Sequence, residues 1–138
     1  MRISLLCLIT MVLLASCAKQ VSEGEIINTV SGTVSYREKM ALSPDAVINV
    51  KLLDVSLADI PAVTLGEQTI KNPGNVPVSF SITYDPLSID ERHSYAVRAE
   101  IRDQGQLIFT TDRNYPVITH NTGNNTDLML LRISRKNP

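Results

Sequence analysis

Val76-Pro77-Val78-Ser79-Phe80-Ser81-Ile82-Thr83-Tyr84 is the stretch that decides the fold. Val76, Val78, Phe80, Ile82 and Tyr84 alternate with Pro77, Ser79, Ser81 and Thr83. Successive side chains of a strand point to opposite faces, so this spacing makes one apolar and one polar face. On a helix the same residues would scatter around the axis. Pro77 cannot donate a ladder hydrogen bond, which puts it at the start of the strand or on a sheet edge. Lys71-Asn72-Pro73-Gly74-Asn75 before it has turn composition, and Asp85-Pro86 ends it.

The period of two continues in both directions. Upstream, Val30, Gly32, Val34 and Tyr36 share one face of a first strand, and Ser43-Pro44-Asp45 makes a turn. Ile48, Val50 and Leu52 share a face of a second strand. Val47, Leu53 and Val55 make its other face apolar too, which marks a central strand. Pro61 discourages a helix just before it, and Val63 to Ile70 is a third, weaker strand. Downstream, Tyr95, Val97, Ala99 and Ile101 alternate with Arg98, Glu100 and Arg102. Asp103-Gln104-Gly105-Gln106 turns the chain into Leu107 to Thr111, and Thr126 to Ser134 is the last strand. Leu87 to Glu91 has room for one helical turn. About seven short strands with no amphipathic helix predict an all-β domain, a small antiparallel β-sandwich.

Composition agrees with one aliphatic core. Apolar residues make up 43% of the 138, with no Trp and two Phe. The net charge of −1 offers no basic field for phosphate, which argues against nucleic acid. The two cysteines are Cys7 and Cys17, so the folded body has no thiol for a disulfide. Burial and strand pairing must hold it together.

Met1-Arg2 is a short positive segment, and Ile3 to Leu14 is apolar except at Ser4 and Thr10. That run suits a signal peptide and falls short of the roughly 18–20 residues of a spanning helix. It ends in Leu14-Ala15-Ser16-Cys17, which resembles the bacterial lipobox. The expected organisation is a signal peptide over 1–16, a lipidated Cys17 opening a polar tether over 17–29, and the β domain over 30–138. Two or three acyl chains on Cys17 would anchor the protein firmly, where one chain binds only marginally. Ala18, rather than the aspartate that favours inner-membrane retention, points to the outer membrane, with the protein facing the periplasm.

The residues also carry a family resemblance. Val30-Ser31-Gly32-Thr33-Val34 is similar to the first-strand motif of YbaY-like and YscW-type lipoproteins. Ala41-Leu42-Ser43-Pro44-Asp45-Ala46 and Asp54-Val55-Ser56-Leu57-Ala58-Asp59 resemble the YbaY branch. Pro77-Val78-Ser79-Phe80-Ser81-Ile82, followed by Asp85-Pro86, resembles both branches. The resemblance spans residues 30 to 133 and implies a small β-sandwich. YscW-type members are pilotins, lipoproteins that help a secretin reach and assemble in the outer membrane. The resemblance therefore implies a secretin-type envelope partner, and it brings no catalytic residues.

The residues themselves suggest little chemistry. His93 lies in the charged loop Asp90-Glu91-Arg92-His93, and His120 precedes Asn121-Thr122-Gly123-Asn124-Asn125. Neither has a ligand partner at i+2 or i+4, so no metal or cofactor is expected. Asp54 and Asp59 flank Ser56-Leu57-Ala58. A paired acid and base is one reading, as in glycosidases, and turn capping is the plainer one. Of Tyr36, Tyr84, Tyr95 and Tyr115, three fall on apolar strand faces. Tyr115-Pro116-Val117-Ile118 reads as an apolar patch at an edge. The expected function is a non-catalytic envelope adaptor or pilotin-like chaperone. The alternative is a carbohydrate-binding module for lipopolysaccharide or peptidoglycan, which needs exposed aromatics.

Overall fold

The computed structural model describes residues 27–134, so the signal segment, Cys17 and most of the tether lie outside the described residues. The chain forms β1 (Asn28–Tyr36), β2 (Ala46–Asp54), β3 (Val63–Lys71), β4 (Val78–Tyr84), β5 (Tyr95–Asp103), β6 (Gln106–Thr111), β7 (Pro116–Val117) and β8 (Leu128–Arg132). The helical turn shrinks to a 3-10 turn at Pro86–Ser88, where Asp85 accepts the Leu87 N–H at 2.8 Å. The short β7, which pairs with Tyr95 and Ala96 of β5, has no counterpart in the alternation pattern. At two residues it is too short to show a period.

All eight strands belong to one sheet, ordered β3-β2-β5-β6-β8-β1-β4, with β7 on β5. The sheet rolls until its two end strands nearly meet. The Ser81 N–H on β4 donates to Gln68 Oε1 on β3 at 2.7 Å. A Cβ built on Gly66 of β3 would lie 2.5 Å from the Thr83 carbonyl oxygen on β4. The two layers of the expected sandwich are thus two halves of one nearly closed barrel. Rolling gives every strand an inside and an outside, which is why the alternation is so clean. The edge position inferred for Pro77 fits, since it directly precedes β4 at one end of the sheet. The central position inferred for the second strand fits as well, since β2 lies between β3 and β5.

One pairing departs from the antiparallel expectation. β1 runs parallel to β8, with Val34, Ser35 and Tyr36 opposite Leu128, Met129 and Leu130. The segment before β8 lies against β1 closely enough to require a glycine. Ser31 N–H donates to Asn124 O at 3.0 Å, Thr126 N–H donates to Ser31 O at 3.0 Å, and a Cβ on Gly32 would sit 1.7 Å from Thr126 O. Asp127 ties the same joint by accepting the Thr33 N–H and hydroxyl at 3.1 and 2.8 Å.

Inside, Val30, Val34, Ile48, Val50, Leu52, Phe80, Ile82, Val97, Ile101, Phe109, Leu128 and Leu130 form one buried aliphatic core. The Tyr36 and Phe109 rings stack across it at 4.3 Å between centroids. Offset aromatic pairs add about 1 kcal/mol to their area burial.

Candidate functional site

β2 and β5 run side by side from Ala46↔Asp103 to Asp54↔Tyr95, and where they end a polar knot forms. Asp54 Oδ1 accepts the Ser56 N–H at 3.0 Å and also the Ser56 hydroxyl. Asp54 Oδ2 lies 2.7 Å from Nδ1 of His93. An ionised carboxylate only accepts, so Nδ1 carries the proton. The Ser94 N–H donates to Ser56 Oγ at 2.9 Å, and the Thr119 hydroxyl donates to the His93 carbonyl at 2.7 Å. Three loops, after β2, before β5 and after β7, are stitched together here. Partial burial pushes the Asp54 carboxyl upward. The hydrogen bonds from the Ser56 hydroxyl, His93 and the Ser56 amide outweigh it and hold the pKa below its ordinary value.

The sequence places His93 in a charged surface loop and gives no sign of this contact. Its partner is 39 positions away, and only the β2–β5 register brings the two together. The reading of Asp54 as a turn cap describes its Ser56 bonds. Asp59, the other carboxylate of the glycosidase-like pairing, is exposed and makes no hydrogen bond or ion pair among the described residues. The second histidine, His120, faces Ser94 Oγ at 3.4 Å, a long contact. No hydroxyl bonds the remaining ring nitrogen of His93 among the described residues, so no nucleophile is aligned on the Asp54–His93 pair. In the same loop Asp90 is held far below the usual carboxylate range by the Arg92 guanidinium and amide.

The tyrosines go inward. Tyr36, Tyr84, Tyr95 and Tyr115 are 6%, 5%, 2% and 9% exposed, and both phenylalanines are buried. This corrects the carbohydrate alternative, because no aromatic ring among the described residues is left outside to stack on a sugar. It also corrects the edge patch at Tyr115 to Ile118. The Tyr115 hydroxyl takes the Met129 N–H at 2.9 Å and donates to Met129 O at 3.0 Å, standing in for a ladder rung. Val117 is buried beside it.

Part of the exposed apolar surface lies on β8, and Leu57, Ile60, Val63 and Leu87 are exposed elsewhere. Leu128 and Leu130 point inward, and Met129, Leu131 and Ile133 point out, with Leu131 51% exposed. Both rows of this strand are apolar, so the alternation alone names neither as the core row. Beside the outward row is an open groove of about 660 Å3, lined by Met40, Leu107, Ile108 and Ile133 with Asp103 and Arg132. Met129 and Leu131 line a separate, smaller recess of about 190 Å3. Exposed apolar surface rimmed by polar residues marks interaction surfaces and ligand grooves.

Known proteins resemble this chain in sequence and in fold. Residues 26–130 match the family model described as type III secretion system lipoprotein chaperone, YscW. The lipoprotein YbaY of Escherichia coli K12 is 37% identical over 107 residues. The match covers 77% of this chain, which spans 56% of the length of that curated relative. An alternative pilotin from the type II secretion system of Vibrio cholerae has the same fold, at a TM-score of 0.76 and 40% identity. That match covers 78% of this chain and 98% of the pilotin structure.

Proposed function

This chain belongs to the YscW family of secretion-system lipoprotein chaperones, and on that premise we propose that it is a non-catalytic, pilotin-like lipoprotein of the outer membrane. The likeness to a pilotin over 98% of that structure, at 40% identity, carries the reading. In this reading residues 1–16 are removed, Cys17 is lipidated, and 17–29 tether the domain that begins near residue 30. Roughly ten extended tether residues reach about 35 Å, so the domain can meet its partner away from the bilayer. The partner is a secretin-type envelope protein, and its docking segment is amphipathic. Its apolar side lies on Leu131 and Ile133, and its polar side meets Asp103 and Arg132 at the groove rim.

The test is retention of the secretin encoded in the same genome by the full chain. Wild type is expected to hold it, and Leu131→Asp combined with Ile133→Asp to lose it by about tenfold or more. Both side chains are exposed, so the fold should survive. Equal retention by the double variant, or none by wild type, overturns the docking reading. Separately, Cys17→Ser is expected to leave the membrane fraction while keeping the secretin contact. Unchanged membrane association of Cys17→Ser would overturn the anchor.

A further inference from the structure

Ile27, Leu57, Ile60, Val63 and Leu87 are each more than half exposed, Leu87 at 92%. They come from three separate parts of the chain, and the strand register gathers them at one end of the barrel. Asn28 pairs with Tyr84, so the start of β1 meets the end of β4. Asp54 pairs with both Val63 and Tyr95, so the end of β2, the start of β3 and the start of β5 lie at one level. The close approach of Gly66 to Thr83 joins β3 to β4 at the same end. Ile27 precedes β1, Leu57 and Ile60 lie in the β2–β3 loop, Val63 opens β3, and Leu87 follows β4. The loops that present them are fixed. Asp54, Ser56 and His93 tie the β2–β3 loop to the β4–β5 loop. Asp85 accepts the Leu87 N–H at 2.8 Å, and its carbonyl accepts the Ser88 N–H at 3.0 Å. A nearly bare leucine is thus held out on a fastened turn, where a loose one could fold back onto the protein.

The chain arrives from Cys17 at this same rim. Ile27 is ten positions after Cys17. Ten extended residues span at most about 35 Å, so this end is the part of the domain nearest to the surface that holds the Cys17 lipid. The charges of the rim narrow the kind of surface. In the β2–β3 and β4–β5 loops the one Lys or Arg is Arg92, which is paired with Asp90 at 2.7 Å. Asp59 and Glu91 are exposed in those loops. An anionic lipid layer would repel these two carboxylates, whereas a zwitterionic headgroup carries an ammonium group for them.

We propose that this rim docks on a zwitterionic bilayer, with Ile27, Leu57, Ile60, Val63 and Leu87 entering the boundary between headgroups and acyl chains. The docking rests on the Cys17 anchor proposed above, because the tether brings this end to the bilayer. It also orients the domain. β8 runs parallel to β1 and continues beyond the level of Tyr36, so Leu131 and Ile133 lie at the opposite end from Ile27. The nine residues of β1, tilted as barrel strands are, separate the two ends by roughly 25 Å. The β8 groove therefore faces away from the bilayer, open to a partner, while the rim rests on the lipid.

The test uses the lipidated chain in phosphatidylcholine vesicles, with circular dichroism confirming that each variant is folded. Leu87→Cys, Ile60→Cys and Leu131→Cys each introduce one thiol for an environment-sensitive fluorophore, the Cys17 sulfur being capped by lipid. Ile60 and Leu131 are 54% and 51% exposed, so they differ in position and hardly in exposure. A nitroxide on the lipid acyl chains is expected to quench the Leu87→Cys and Ile60→Cys labels about twofold or more and to leave the Leu131→Cys label unquenched. Leu57→Asp combined with Ile60→Asp is expected to abolish quenching at the Leu87→Cys label while the chain still floats with the vesicles. Docking alone is overturned if the chain floats and the three labels are quenched alike or not at all. It is equally overturned if the two aspartates leave quenching unchanged, or if quenching appears only when phosphatidylglycerol is present. A chain that does not float overturns the anchor, and the docking with it.

Discussion

Two regions on the same pair of strands differ in how their charges are answered. At the end of β2 and β5, Asp54 has Ser56 and His93, Ser56 has Ser94, and the His93 carbonyl has Thr119. Three residues earlier on β2, Lys51 faces Arg98 on one side and Glu67 on the other, and neither cation is hydrogen-bonded among the described residues. The first region is complete within the chain and holds loops in place. The second is balanced by charges set across neighbouring strands without fixed bonds, which is what a solvated outer face looks like.

Breaking the joint that both regions depend on should have the largest effect. Gly32→Ala drives a Cβ into the Thr126 carbonyl, a backbone atom that cannot swing aside. The expected loss is about 3 kcal/mol or more of stability in urea unfolding, with both regions lost together. A variant as stable as wild type would show that the β1–β8 joint is looser than it looks.

Removing Asp54 should separate the two regions. Asp54→Ala leaves the Ser56 and His93 donors without their acceptor, and about 2 kcal/mol of stability should go. Lys51→Ala should cost almost nothing. Equal costs would erase the distinction. The sign of the pH dependence follows from the lowered Asp54 pKa. Its contribution is fully present above the unfolded value near pH 4, and it fades as pH falls through the lower folded value. The stability gap between wild type and Asp54→Asn should therefore narrow below about pH 4. A gap that widens there would reverse the assignment.

The smallest effect sharpens the second region. Lys51→Glu gains an attraction to Arg98 and sets a like charge opposite Glu67, so the two effects should offset and stability should change by under about 1 kcal/mol. A loss well above about 1 kcal/mol would mean Lys51 has a structural task.

Much of the fold could be read residue by residue. The alternation in Val78 to Tyr84 and in Tyr95 to Ile101 matches the buried and exposed sides of β4 and β5. Strand alternation is a local property, since the pleat repeats every two residues whatever the neighbours are. The functional surfaces were less legible. β8 is apolar on both faces, so its outward row emerged only once Leu128 and Leu130 were seen inside. The Asp54–His93 contact and the Lys51–Arg98 opposition both need the register of β2 on β5. No local signal carries that register.

By itself, the sequence determined an all-β domain, the inner rows of most strands, an edge place for Pro77 and a lipobox-like Cys17. Each of these depends on a residue and its near neighbours. Only the tertiary structure decided that one sheet rolls up, that the first and last strands run parallel, and which charges meet across strands. Hydrogen-bonded pairing joins backbones far apart in the chain, and its partner, direction and register are set by which arrangement closes the core.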